Sequence, residues 1–141
     1  MEFQTLKATK PTVIHYALIF LWAGLGLGAA SAILYLPNFL RQGMSLQFFI
    51  FAMSFIFGPY AVVVWAIGEG KNWARITHLA IWLLFTLNSG LRHHDSEQLP
   101  VTLVILGLGS NLAQIVGMVM IFIGPGRHWF TSERRLIVRW K

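Results

Sequence analysis

The chain has no cysteine among its 141 residues. That excludes disulfides, thiolate metal sites and cysteine nucleophiles. Acidic side chains are nearly as scarce, 5 Asp and Glu against 11 Lys and Arg, for a net charge of +6. Charged residues make up 11% of the chain, under half the ~25% of soluble domains. None of them lies deep in a long apolar run. Proton- and ion-coupled transporters, small drug exporters among them, usually keep an ionisable group inside the membrane. Channels built on charged rings need one too. Both classes therefore lose their usual chemistry here. No Ser–His–Asp order, HExxH motif, P-loop or kinase signature occurs either, so the protein is not expected to be an enzyme.

Hydrophobic residues are 56% of the chain, above the ~45–50% of soluble domains. They gather in four runs, at about 12–36, 46–67, 73–91 and 101–123. Each reaches the ~18 residues that mark a transmembrane helix candidate. Lipid offers no partner to backbone N–H and C=O groups, so such spans fold as helices. The expected fold is all-α, a four-transmembrane-helix bundle with a short amphipathic C-terminal segment, in one integral membrane domain over 1–141. Lys7 and Lys10 precede the first run as in a signal peptide. That run exceeds the ~7–15 residues of a signal h-region, so it is read as a retained span.

With four crossings, one membrane side holds Lys7, Lys10, Lys71, Arg75, Arg127, Arg134, Arg135, Arg139 and Lys141, and the other only Arg41 and Arg92. This asymmetry predicts cytoplasmic termini. It also explains the basic charge by anionic headgroups at the cytoplasmic face, with no nucleic acid partner. The tail at 128–141 groups Trp129, Phe130, Leu136, Ile137 and Trp140 away from its Arg and Lys residues. That pattern predicts an interfacial amphipathic helix.

Within the first span Gly24, Gly28 and Ala32 recur every four residues. Such a stripe lets two helix backbones approach closely, either within the bundle or between two copies. Pro37, Asn38, Arg41 and Gly43 read as the first outer loop. Gly58-Pro59 interrupts the second span, where a missing backbone bond predicts a kink. The neighbouring Phe48, Phe49, Phe51, Phe55 and Phe57 read as packing or lipid-facing material. Trp73 between Lys71 and Arg75 fits an interfacial aromatic with snorkelling cations. Gly124-Pro125-Gly126 reads as the stop of the fourth helix.

Three groups could carry chemistry. Asn111 and Gln114 lie three apart near mid-span. Such amides commonly hydrogen-bond across helices, or they could line a polar pocket for a lipid or small ligand with Asn88 or Ser54. The outer loop carries His93, His94, Asp95 and Glu97, whose donors suit Zn or Cu, although adjacent histidines are not a recognised ligand spacing and a solvated turn is the expectation. His15, His78 and His128 fall towards the cytoplasmic end. A pair such as His15 and His78 could ligate haem b, but placement near the interface favours water or headgroups as their partners.

The segment GKNWAR at Gly70 to Arg75, with GPGRHWF at Gly124 to Phe130, resembles small four-helix bacterial inner-membrane proteins of unknown function. The resemblance implies four helices and a bacterial inner membrane, and transfers no active site. The sequence thus leads first to a non-enzymatic membrane protein that packs against protein or lipid partners, including a second copy. Next comes a transporter or small-ligand-binding bundle using Asn111, Gln114 and the Gly58-Pro59 kink. Third is a metal- or haem-binding redox subunit.

Overall fold

The computed structural model describes residues 10–92, 100–123 and 125–132. Four long helices and one short one follow in order: α1 Thr12–Arg41, α2 Leu46–Gly68, α3 Asn72–Arg92, α4 Val101–Phe122 and α5 Pro125–Ser132. Three of them, α1, α2 and α4, are long and apolar enough to cross a membrane. The third expected span is helical, but α3 does not meet that standard as a whole. Its composition mixes Arg75, Thr77, His78 and Thr86 with apolar residues.

Local chemistry accounts for the helix ends. Pro11 precedes α1 in an extended conformation, and its carbonyl accepts from the N–H of Ile14 and of His15. Ser45 caps α2 through its Oγ, which accepts from the Phe48 N–H at 3.2 Å. Two glycines in left-handed conformation, Gly43 and Gly70 (φ 82° and 78°), close α1 and α2. Each places its own N–H and the next residue's on carbonyls of the final turn: Gly43 to Leu40 and Met44 to Phe39, Gly70 to Ile67 and Lys71 to Ala66.

The first outer loop is corrected. α1 runs through Pro37 and Asn38 to Arg41. A proline removes a single ladder bond. Here the flanking aromatic chain Tyr35–Phe39–Phe49, with centroids 5.8 and 5.6 Å apart, pins that last stretch against α2. The turn begins only at Gln42, where Gly43 makes it sterically cheap. α2 likewise stays helical through Gly58-Pro59.

α1 sits between α4 and α2, α3 packs on α2, and the ring closes through a thin contact of α3 with α4. The α1–α4 contact is by far the most extensive. It is antiparallel: Ala17 and Leu21 meet Gly117, Gly24 meets Gln114, and Gly28 meets Ser110. The Gly24–Gly28–Ala32 stripe thus packs within the chain at Gly24 and Gly28. A Cβ on Gly24 would stand 2.8 Å from Gln114 Nε2, and one on Gly117 2.6 Å from Leu21 Cδ2. These glycines let the two backbones come close enough for van der Waals packing to hold them.

The bundle is layered along its length. A dry core of Ile14, Ala17, Leu21, Val64, Ile67, Ala74, Ile121 and Phe130 fills the end where Lys10, Lys71 and Arg75 lie. Outside, Phe51, Phe55, Leu84 and Val101 are 67–73% exposed. An apolar shell of that extent suits lipid, not water. Of the expected tail helix, residues 128–132 are helical and belong to α5. α5 starts at Pro125, which stops α4 and supplies the first residue of the next helix. Its Phe130 is 3% exposed in the core. Phe130 and Phe122 flank the Arg75 guanidinium at 5.1 and 5.3 Å from their ring centroids. Residues 133–141, the rest of the expected amphipathic segment, lie outside the described residues.

Candidate functional site

The dry core gives way, one turn deeper, to a polar layer. His78 comes from α3, Tyr60 from α2 and Gln114 from α4. His78 is wholly buried and Gln114 is 4% exposed. The Tyr60 and His78 rings stack, with centroids 4.8 Å apart and planes 11° from parallel. Tyr60 Oη donates to Gln114 Oε1 at 3.3 Å. His78 Nε2 lies 3.3 Å from the same hydroxyl. Since that hydroxyl has one hydrogen, Nε2 is the protonated nitrogen and donates to Oη. Gln114 Nε2 then donates to the Leu21 carbonyl on α1 at 3.3 Å. One chain of hydrogen bonds therefore ties all four long helices. Burial of these groups is offset by the bonds they make to one another, while His78 Nδ1 is buried with no partner among the described residues.

Above this layer is a cavity of about 430 Å³. Gly24, Gly28, Phe57, Tyr60, Trp82, Phe85, Ser110 and Asn111 belong to its wall, and among the described residues none that lines it is charged. Its volume falls within the range of small-molecule sites, and its mixture of aromatic wall and few polar groups is typical of them. Gly24 and Gly28 contribute floor without side chains, and Ser110 Oγ is occupied by donation to the Gly24 carbonyl at 2.7 Å. Trp82 offers its ring, since its indole N–H is buried inside the protein.

The residues singled out from sequence are distributed as follows. Gln114 is in the polar layer and borders the cavity. Asn111 borders it too, but its Nδ2 donates to Gly107 O of its own helix at 2.9 Å rather than across helices. Its side chain points to the rim because it is exposed, a turn away from the α1 contact that buries Gln114. Ser54 is on the exposed face of α2. Asn88 is on α3, with its side chain outside the described residues, as is that of His128. His93, His94, Asp95 and Glu97 also lie outside them. The expectation of an interfacial His78 is corrected: the α2–α3 pairing carries it under the Tyr60 ring, away from water and headgroups. His15 is exposed beside Tyr16. The two histidines thus occupy unlike environments, and His78 already spends Nε2 on Tyr60.

Sequence reasoning missed Tyr60, Trp82 and Thr86. A signal existed. Arg75, His78, Trp82 and Thr86 recur at intervals of three and four, which sets them along one face of α3. Comparison with protein-family models, with curated proteins and with solved structures finds no match for this chain.

Proposed function

We propose that this is a non-enzymatic integral membrane protein whose four-helix bundle binds a small uncharged lipophilic molecule in the cavity beneath Trp82 and Phe57. The observation that carries this is an aromatic-walled cavity lined from all four long helices, with no charged residue in its wall among the described residues. The runner-up reading from sequence thereby moves ahead of partner packing. The glycine stripe that suggested a partner surface is engaged at Gly24 and Gly28 by α4 of the same chain.

In this proposal α3 is the fourth crossing. Its polar and amphipathic residues Arg75, His78, Trp82 and Thr86 share one face, while Ile76, Leu83, Leu84 and Leu87 are exposed. Soluble helices carry the opposite polarity. At ~1.5 Å per residue its 21 residues extend roughly 31 Å, the thickness of a hydrocarbon core. A three-residue connection returns it alongside α2. Four crossings and the Lys/Arg asymmetry then favour cytoplasmic termini, and the resemblance noted above favours a bacterial inner membrane.

Calorimetric titration of the nanodisc-embedded protein with 1-naphthol, referenced to empty discs, tests the site. Stoichiometric binding is expected, lost in Gly28→Phe, which fills the cavity, and retained in Gly26→Phe, whose position has nothing within 4 Å. Heats equal to those of empty discs would remove the proposal.

A further inference from the structure

Resting on that binding proposal, we infer that the cavity takes its ligand sideways from the bilayer, through the seam between α3 and α4, and that the ligand is a neutral lipid with an uncharged oxygenated head.

Of the four contacts that close the ring of long helices, the one between α3 and α4 is the thinnest among the described residues. Lining residues from both sides of this seam are exposed: Phe85 and Thr86 on α3, Asn111 on α4. The opposite wall is closed by contrast, since Gly24, Leu25 and Gln114 at the α1–α4 contact are buried. The opening is therefore lateral. Counted at ~1.5 Å per residue from the Arg75 end, Asn111 and Thr86 stand roughly 16 and 21 Å along their helices, which in a core about 30 Å thick is the hydrocarbon and not the headgroup layer. Ile105, Leu108 and Leu112 on α4 and Leu83, Leu84 and Leu87 on α3 are all exposed, so the two helices that flank the opening present apolar surface at these depths. A molecule reaching it is already dissolved in the bilayer.

The rim also sets the head group. Thr86 has a hydroxyl that can donate or accept. Asn111 spends one amide hydrogen on Gly107 and keeps a second hydrogen and its Oδ1. Together they suit an ester, hydroxyl or carbonyl. Among the described residues no cation lines the cavity, so a phosphate would stay uncompensated in a low-dielectric surrounding, where an unpaired charge is strongly disfavoured. The apolar part of the lipid then faces Phe57, Trp82 and Phe85.

The absence of cysteine makes the test specific. Nanodiscs carrying either a diacylglycerol or a phosphatidic acid, with the same diazirine-bearing acyl chain, are irradiated and the adducts mapped. Diacylglycerol adducts are expected on residues 82–86 and 107–114 at several-fold the yield found at the outward-facing Phe51 and Phe55, with no such enrichment for phosphatidic acid. In Leu83→Cys/Leu112→Cys, two exposed positions at about one depth on α3 and α4 that leave the rim groups in place, bridging the two thiols with a reducible bis-methanethiosulfonate linker should abolish the enrichment, and reduction should restore it, which separates a closed seam from a misfolded protein. Equal enrichment of the two lipids would overturn the neutral-head assignment. Enrichment undiminished by the bridge would overturn the lateral route. Retained 1-naphthol binding without diacylglycerol enrichment would leave the cavity as a site and refute this ligand class, whereas loss of both would refute both proposals.

Discussion

Tyr60 lies flat against His78, ring centroids 4.8 Å apart, and its hydroxyl stands 3.3 Å from both His78 Nε2 and Gln114 Oε1. A single phenol thus joins α2 to α3 by stacking and to α4 by a hydrogen bond. Tyr60→Phe keeps the stack and deletes the link. The expected loss is on the order of 1 kcal/mol, as for other hydrogen bonds between membrane helices. In a double-mutant cycle with Gln114→Leu the two losses should be non-additive. Strict additivity would mean that the Tyr60–Gln114 bond contributes nothing.

Glycine substitutions should sort by what the new methyl meets. Gly117→Ala would place Cβ 2.6 Å from Leu21 Cδ2 and 3.1 Å from the Ala17 carbonyl oxygen. The backbone there cannot withdraw, so overpacking should cost about 1–3 kcal/mol. Gly26→Ala has open space and should cost nothing, since alanine is the better helix former. Thermal unfolding of both variants in one detergent decides the matter, and indistinguishable midpoints would contradict the close α1–α4 packing.

Arg75 sits between Phe122 and Phe130. A planar guanidinium stacks on two rings at once, which a lysine ammonium cannot reproduce. Arg75→Lys should therefore loosen α5 by about 0.5–2 kcal/mol, seen as faster amide hydrogen exchange over Pro125–Ser132 with α1 unaffected. Unchanged exchange in α5 would show that Phe130 is held by the apolar core alone.

The topology proposal predicts that reporters fused after Lys141 and inserted in the 93–99 loop report opposite membrane sides, with the C-terminal one cytoplasmic. A third reporter in the 69–71 connection that reads the same side as the one in the 93–99 loop would reduce the crossings to three and place α3 on one side of the bilayer.

Much of this architecture is legible in the chain itself. The long apolar runs mark the helices, and Gly43 and Gly70 close two of them because left-handed backbone excludes most other residues. Pro37 misleads, since a proline near a helix end looks like a terminus until the Tyr35–Phe39–Phe49 contacts that hold the next turn are known. His78 misleads in the same way: its position one turn into α3 suggests the interface, but burial is decided by Tyr60, 18 residues away. Gln114 was visible as a mid-span amide. Its neighbour Asn111 differs from it only by which side of α4 meets α1.

Sequence alone determined helicity, the lengths of α2, α3 and α4 and the exclusion of charge from the apolar runs, because these depend on contiguous residues and on the absence of backbone partners in lipid. Tertiary structure decided the rest. It set Gly24 and Gly28 against Gln114 and Ser110, drew His78, Tyr60 and Gln114 into one layer, and left the α3–α4 contact the thinnest of the ring. Those outcomes depend on the rotation and depth of each helix against its neighbours. Small differences in van der Waals packing between helices set that depth and rotation, because in lipid no hydrophobic gain distinguishes one apolar face from another.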